Sequence, residues 1–396
     1  MGSRASIGFE SARVLEEFLQ EHPSIKFIRL QWQDLSGILR ANIVTTEYAV
    51  ELALENKALR CAPITLHCLA DNFALPYGAG AHNLHPDWAS LRQTTGNYGT
   101  VMCTVVESTV GEQTPNSALC PRHALKNVLQ DASDRYGLGF LVGFEIEFNI
   151  VDVSYDGDIR PTSSKTGHFS VFGLREPRFK IVEECVHELL RVGVKFDNFH
   201  IEGHSGQYEI PLAPLPPMQA VDQLVLAHDV LKTVVARHGL VATMSPKPLP
   251  ELQSNGQHKK LEAGTSVGWG TENRGCPVRK VGTGHWELRI ADATSNMYMT
   301  LAAIIGAGML GLRDGRLCHW PDASLKSPEA SSKASGEKLP TNFDSALDVL
   351  EQGISSFDGS LDRRTTQHYI YVKRTESSRL KALDEKSVRA ILASLF

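Results

Sequence analysis

Gly143-Phe144-Glu145-Ile146-Glu147-Phe148 is the stretch on which the reading of this sequence turns. Side chains alternate faces along a strand, so Glu145 and Glu147 share one face while Phe144, Ile146 and Phe148 share the other. Taken alone, the pattern reads first as a half-solvated strand with its acids toward water. Two further segments resemble it. In Phe199-His200-Ile201-Glu202-Gly203-His204-Ser205-Gly206-Gln207-Tyr208-Glu209-Ile210, two glutamates flank a glycine-containing turn in an otherwise apolar hairpin. In His285-Trp286-Glu287-Leu288-Arg289-Ile290, a glutamate and an arginine share a strand face. Three strand systems thus present carboxylates that a sheet could converge. Acids at close quarters repel unless cations neutralise them, and hard oxygen ligands select Mg2+ or Mn2+.

Arginines supply the complementary half. Arg274 and Arg279 lie shortly before Glu287 and Arg289, and guanidinium groups beside a divalent-metal site suit polyphosphate handling. Structural ion pairs would look the same at this level. No Walker A loop and no dinucleotide GxGxxG accompanies them.

The surrounding chain bounds the answer. Its 396 residues, 42% hydrophobic and 21% charged, suit a soluble globular protein of two or three domains. A net charge of −5 lacks the basic footprint of a nucleic-acid binder. Seven scattered cysteines without a CxxC pair argue against a disulfide framework and for a reducing compartment. No secretory signal opens the chain, so a cytoplasmic protein is expected, although Met1-Gly2 with Ser6 fits the short myristoylation pattern. The most apolar run, 297–312, is too short to span a bilayer and reads as a buried helix. No membrane association is expected.

Periodicity and turn chemistry predict a helix over 11–20, a hairpin of 26–30 with 38–44 about a turn at 34–37, and a strand over 100–107. The polar stretch before Pro121 marks a boundary near 118, dividing a small β-rich domain (1–118) from a larger one (119–396). Beyond it the reading is helix 121–134, strand 138–151, helix 176–192, a hairpin within 196–211, helix 216–238 and a strand at 240–244. Strands within 265–290, helix 297–312, a surface loop at 324–338 and helices at 343–352 and 384–394 complete it.

These motifs, taken in order, resemble the glutamine synthetase family, of the class I-like kind. FIRLQWQDLSGILRANIV is similar to the opening hairpin of the family's N-terminal β-grasp domain, GFEIEF to its GxExEF strand, and HIEGHSGQYEI to its E-x-x-P-G-Q-x-E segment, with Ser205 in place of proline. ATMSPKP, TENRGCPVRK, HWELRIADATSNMY and HYIYVKRTE resemble further family segments, so the likeness runs through nearly the whole chain. It implies an α+β fold: a β-grasp domain plus a catalytic domain of the glutamine synthetase and guanido-kinase type, with a curved antiparallel sheet flanked by helices. Asn296 and Tyr298 then read as structural, capping the buried helix.

By position, the resemblance implies that Glu147, Glu202 and Glu209 bind a first metal on the amino-acid side. Glu145, His258 and Glu287 would bind a second that holds the nucleotide phosphates. Arg274 and Arg279 match phosphate-contacting arginines, Arg289 the arginine that stabilises the transferred phosphoryl group, and Glu262 the loop glutamate that closes the site. The implied cofactors are ATP and two to three Mg2+ or Mn2+ ions. The implied substrates are a glutamate-like carboxylate and ammonia or an amine, joined through an acyl phosphate, and the implied assembly is a homo-oligomeric ring.

The sequence departs from the family at one place above all. Glu262 arrives four residues after His258, where the family interposes several dozen, and Lys260 stands where a second histidine is usual. The shortfall is either genuine or the trace of a lost exon. The family's ammonium-binding aspartate has no clear match, and Asp71 is the nearest candidate. Two functions are therefore expected in competition: an ATP-dependent amide ligase, and a catalytically inactive homologue with a regulatory or scaffold role.

Overall fold

The computed structural model describes residues 4–77, 79–109, 116–163, 167–203, 206–249, 266–318, 320–325, 337–357 and 361–396. The first layer is built on helix α1 (Arg4–Glu21) and strands β1 (Phe27–Gln33) and β2 (Leu39–Thr45), followed by helix α2 (Thr46–Leu54). Strands β3 (Leu59–Cys61), β4 (Gly80–Pro86), β5 (Arg92–Gln93) and β6 (Tyr98–Thr109) complete a six-stranded sheet. Its order is β2-β1-β6-β4-β3, with β5 on β6; β1 and β6 run parallel and the other pairs antiparallel. Ala12 and Leu15 of α1 and Leu52 and Ala53 of α2 bury against Ile28, Leu30, Val101 and Cys103 of the sheet. The turn at 34–37 works because Gly37 takes φ +86°, a region hostile to other residues, and a Cβ there would press on the Thr294 carbonyl at 3.1 Å.

Helix α3 (Pro121–Tyr136) leads into a second, wholly antiparallel sheet: β7 (Glu145–Val153), β8 (Ile159–Pro161), β9 (His200–Ile201), β10 (Gln207–Pro211) and β11 (Val241–Thr243). Its order is β11-β7-β10-β9, with β8 on β7. Helices α4 (Phe179–Arg191) and α5 (Pro217–Ala236) pack on one another above it. In α4 the buried positions Phe179, Ile181, Val182, Cys185, Val186 and Leu189 form one stripe. They close over Ile146, Phe148 and Ile150 of β7.

A third sheet, β12 (Trp269–Thr271), β13 (Val278–Gly282) and β14 (His285–Leu288), has β12 parallel to β13 and β14 antiparallel. Among the described residues no ladder joins it to the second sheet. Helix α6 (Met297–Arg313) follows, then α7 (Phe343–Gln352), α8 (Arg363–Lys381) and α9 (Glu385–Leu395).

Apart from α1, which begins at Arg4 rather than near 11, the expected helix starts and ends are met closely, whereas the strand expected over 138–151 begins only at Glu145. Ahead of it the chain is held by a single bridge between Val142 and Leu215, where Gly137, Gly139 and Gly143 weaken strand continuity. The sheet expected to be antiparallel in the catalytic part is mixed: among the described residues its strands fall in two ladders, and the one formed by β12–β14 contains a parallel pair. The loop expected at 324–338 lies mostly outside the described residues, as do Met1 and Gly2. All seven cysteines are free thiols. Among the described residues no helix is long and apolar enough to cross a membrane.

The layers are bolted together by buried polar groups. Lys373 Nζ on α8 donates to Glu376 Oε2 at 2.8 Å and to the Ser36 carbonyl at 3.1 Å, while the Ala70 amide donates to Glu376 Oε1 at 2.9 Å. Asn296 caps α6 by accepting from the Met299 amide and, through Nδ2, donates to the Asp34 carbonyl at 2.8 Å. Tyr298, fully buried, donates its hydroxyl to Asp222 at 2.5 Å. Both residues are therefore structural, as their positions suggested.

Candidate active site

Strand alternation and register bring the carboxylates together. Glu145 and Glu147 share a face of β7, and the β7–β10 ladder sets Glu209 directly opposite Glu147. The β9–β10 ladder sets His200 opposite Glu209, and Glu202 follows β9 two residues after His200. The turn between β9 and β10 depends on Gly206 at φ +70°, whose missing Cβ would lie 3.0 Å from the Ile150 carbonyl. Gln207 Nε2 donates to Glu147 Oε2 at 3.2 Å, which fixes that carboxylate on the shared face.

Within this cluster, single donor atoms of His200, Glu202 and Glu209 all lie within 4.8 Å of one another. Their side chains are only 22%, 18% and 13% exposed. Burial first, and then the charges of Glu145, Glu202 and Glu147, push the Glu209 carboxyl up to about 8, against the opposing pull of Arg274. Glu145, at the exposed head of β7, is raised too, by burial and by Glu287, with Arg289, Arg274 and Arg279 opposing. The donor set therefore fits a divalent cation, whose charge at this point would return Glu209 to its ionised form.

The arginines occupy the third sheet. Arg279 pairs with Glu287 across the β13–β14 ladder. Its Nη1 donates to Glu287 Oε2 at 2.8 Å, while Arg289 Nη1 donates to Glu287 Oε1 at 2.5 Å. Arg279 also pairs with Glu272. Both oxygens of Glu287 are thus engaged by guanidinium groups. Arg289 is buried, anchored by its amide on the Pro277 carbonyl at 2.8 Å. The Nε atoms of Arg279 and Arg289 are buried without a hydrogen-bond partner among the described residues, which leaves donor capacity inside the site. Glu145 and Arg274 act electrostatically on both halves.

His258 and Glu262 lie outside the described residues, as does His204. Asp71 is engaged within its own chain, accepting from Arg379 Nε at 2.6 Å. His285 is exposed, and half-exposed Trp286 packs edge-on against Trp269 with Lys280 over its ring. Sequence reasoning passed over His200. Its signal was present, because a residue two before Glu202 in a strand shares that glutamate's face.

A family model described as "Glutamine synthetase, catalytic domain" matches residues 118–261 and 259–387. The two matched pieces meet at 259–261, between His258 and Glu262. Protein fluG of Emericella nidulans is 27% identical over 98% of this chain and 50% of its own length, so the chain spans about half of that relative. Type-1 glutamine synthetase 1 of Dictyostelium discoideum is 21% identical over 95% of this chain and 91% of its own. A gamma-glutamylpolyamine synthetase of Streptomyces coelicolor is 24% identical, covering 91% of each chain. These alignments run to 438, 464 and 443 positions against a chain of 396, so the relatives carry residues with no counterpart here. Among solved structures, a GmaS/ADP complex superposes with a TM-score of 0.77 at 22% identity, covering 95% of this chain and 98% of that one. A glutamine synthase homologue superposes at 0.73 and 20% identity, covering 94% and 99%. With the family model covering most of the chain and the same α+β fold recurring in these structures, the chain belongs to the glutamine synthetase family.

Proposed function

We propose that the chain is an ATP-dependent ligase that activates a carboxylic acid, such as glutamate, and condenses it with ammonia or an amine. The observation that carries this reading is the convergence of Glu147, Glu202 and Glu209 on one sheet face, electrostatically coupled through Glu145 and Arg274 to the arginines of the third sheet. In this reading Glu147, Glu202 and Glu209 would hold one divalent ion, and Glu145, His258 and Glu287 another. The ions supply positive charge for the phosphate oxygens of ATP and the acid substrate. Arg274 and Arg279 orient the polyphosphate through charged hydrogen bonds, and Arg289, held rigid by burial, neutralises the transferred phosphoryl group as the substrate carboxylate attacks it. Glu262 closes the site. Residues 1–118 form the β-grasp part and 119–396 the catalytic part, in a cytoplasmic homo-oligomeric ring.

The test is ADP release by purified protein with Mg2+ or Mn2+, glutamate and a panel of amines. Stimulation by one acid and amine pair, with amide product, supports the reading; no stimulation by any pair overturns it.

A second reading, a catalytically inactive homologue, is favoured by two specific observations. The family match breaks at 259–261, and both oxygens of Glu287 are spent on Arg279 and Arg289. It expects nucleotide binding without turnover.

A further inference from the structure

One imidazole stands inside the carboxylate cluster with no role in the assignments above. His200 Nδ1 lies 3.5 Å from Glu202 Oε2, and its Nε2 lies 3.6 Å from Glu209 Oε1. Nδ1 is buried without a hydrogen-bond partner among the described residues. Both separations are at or beyond hydrogen-bond length. They belong to two different ring nitrogens, of which one ion can take only one; with a single donor atom from each residue, His200, Glu202 and Glu209 come within 4.8 Å of one another, close to the roughly 4.2 Å between two donors that share one ion. The ring is held in place. Phe169 packs on it at 4.7 Å between centroids, and the Phe169 amide donates to the Ile201 carbonyl at 3.1 Å, tying that ring to β9. His168, half-exposed, stands behind the cluster with Nδ1 3.8 Å from the other oxygen of Glu202.

A ring wedged between two carboxylates could instead be a spacer that fills the wall. A spacer would pair its nitrogens through hydrogen bonds, because a buried, unpaired nitrogen keeps the full cost of its lost hydration. A metal ion supplies the missing partner for one nitrogen while neutralising the acids on either side.

We propose, on the basis of the ligase reading above, that His200 is a nitrogen ligand of the first divalent ion. The site is then a mixed imidazole and carboxylate site that prefers a transition-metal ion such as Mn2+ over Mg2+, because imidazole adds little to the binding of Mg2+.

The full chain carrying His258→Ala, which removes the nitrogen assigned to the second ion, is loaded with one equivalent of Mn2+ and read by pulsed electron paramagnetic resonance. The expected result is nitrogen modulation from a directly bound imidazole. In the same background His200→Gln abolishes that modulation and weakens Mn2+ binding about tenfold or more, while Mg2+ binding changes far less. Bound Mn2+ without nitrogen modulation overturns the assignment and leaves the carboxylate site standing; so does modulation that persists in His200→Gln. Absence of modulation in the His200-containing protein overturns the assignment even if the glutamine variant does not fold, and His200→Asn then serves as the second variant if modulation is present. Absence of saturable Mn2+ binding by the unmodified chain overturns both this assignment and the metal-dependent ligase reading.

Discussion

Glu147 and Glu209 face each other across the β7–β10 ladder, two carboxylates paired where opposite charges would be the stable choice. The fold therefore carries a repulsion that it does not itself discharge. Raising the Glu209 pKa to about 8 makes the folded chain hold a proton that the unfolded chain releases above the ordinary glutamate range. Its stabilising effect is full below about 4.5 and is lost as pH rises toward 8. Denaturant titrations in chelator should show the chain about 1–3 kcal/mol less stable at pH 8 than at pH 5 from this group. Glu209→Gln should remove that slope and be the more stable protein at pH 8. It should also lose most of the stabilisation that Mn2+ gives the parent chain. A Gln variant with an unchanged slope would show that the acid pair carries no such strain.

An opposite dependence arises far from this cluster. His67, His82 on β4 and His368 on α8 line a cavity of about 270 Å³ between the first sheet and α8, with the Glu107 and Arg364 ion pair at 3.1 Å. Burial, then the neighbouring His67, lowers His82 and His368 to about 4. Groups lowered in this way stabilise the fold above pH 6.5, and the contribution is lost as pH falls toward 4. The stability difference between the parent and His82→Gln should therefore shift in favour of the variant between pH 6.5 and 4.5. Parallel curves for the two proteins would refute the assignment.

How much was legible follows from these elements. The Glu145 and Glu147 alternation was readable because strand period alone decides it, and the Gly206 turn because only glycine suits its backbone. Helix α8 was not read as a helix. Its RRTTQHYIYVKRT run is rich in threonine and β-branched or aromatic residues that favour strands, and the helix exists because Val372, Lys373 and Glu376 bury against the turn at 34–37 and the loop at 67–75. His200 shares the face of Glu202 by spacing alone, but its place opposite Glu209 depends on the β9–β10 register, which sequence spacing does not reveal. The parallel pairing of β12 with β13 was equally hidden, since strand direction within a sheet is a tertiary fact.

That docking of α8 makes a third prediction. Lys373 and Glu376 are 6% and 7% exposed and complete each other's hydrogen bonds. Removing one partner strands a buried charge, so Lys373→Met should cost roughly 3–5 kcal/mol. The double variant Lys373→Met with Glu376→Leu should recover much of that loss in a denaturant-based cycle. Additive losses in the double variant would mean that the pair is not coupled.

Arg289 and Arg279 grip the same glutamate but differ in surroundings: Arg289 is anchored through its own amide, whereas Arg279 shares itself with exposed Glu272. Under the ligase reading, Arg289→Lys should lower kcat by about 100-fold or more, because lysine cannot present a fixed planar fork. Arg279→Lys should act mainly on the KM for ATP. Equal effects of both variants on kcat and KM would reverse this division of labour.

The arginines sit on the least supported sheet. Strands β12–β14 are three to five residues long and mostly half-exposed, whereas β7 buries Ile146, Phe148, Asn149, Ile150 and Val151. Short strands with few buried side chains open by local fluctuation more readily than a core strand. Amides of 278–288 should therefore exchange with deuterium much faster than those of 146–151. Under the ligase reading, a non-hydrolysable ATP analogue with Mn2+ should slow the former selectively, because polyphosphate would draw Arg274, Arg279 and Arg289 into one set of contacts and release Glu287 from its two guanidinium partners. If 278–288 is already as protected as β7 before nucleotide is added, the third sheet is not the weak element.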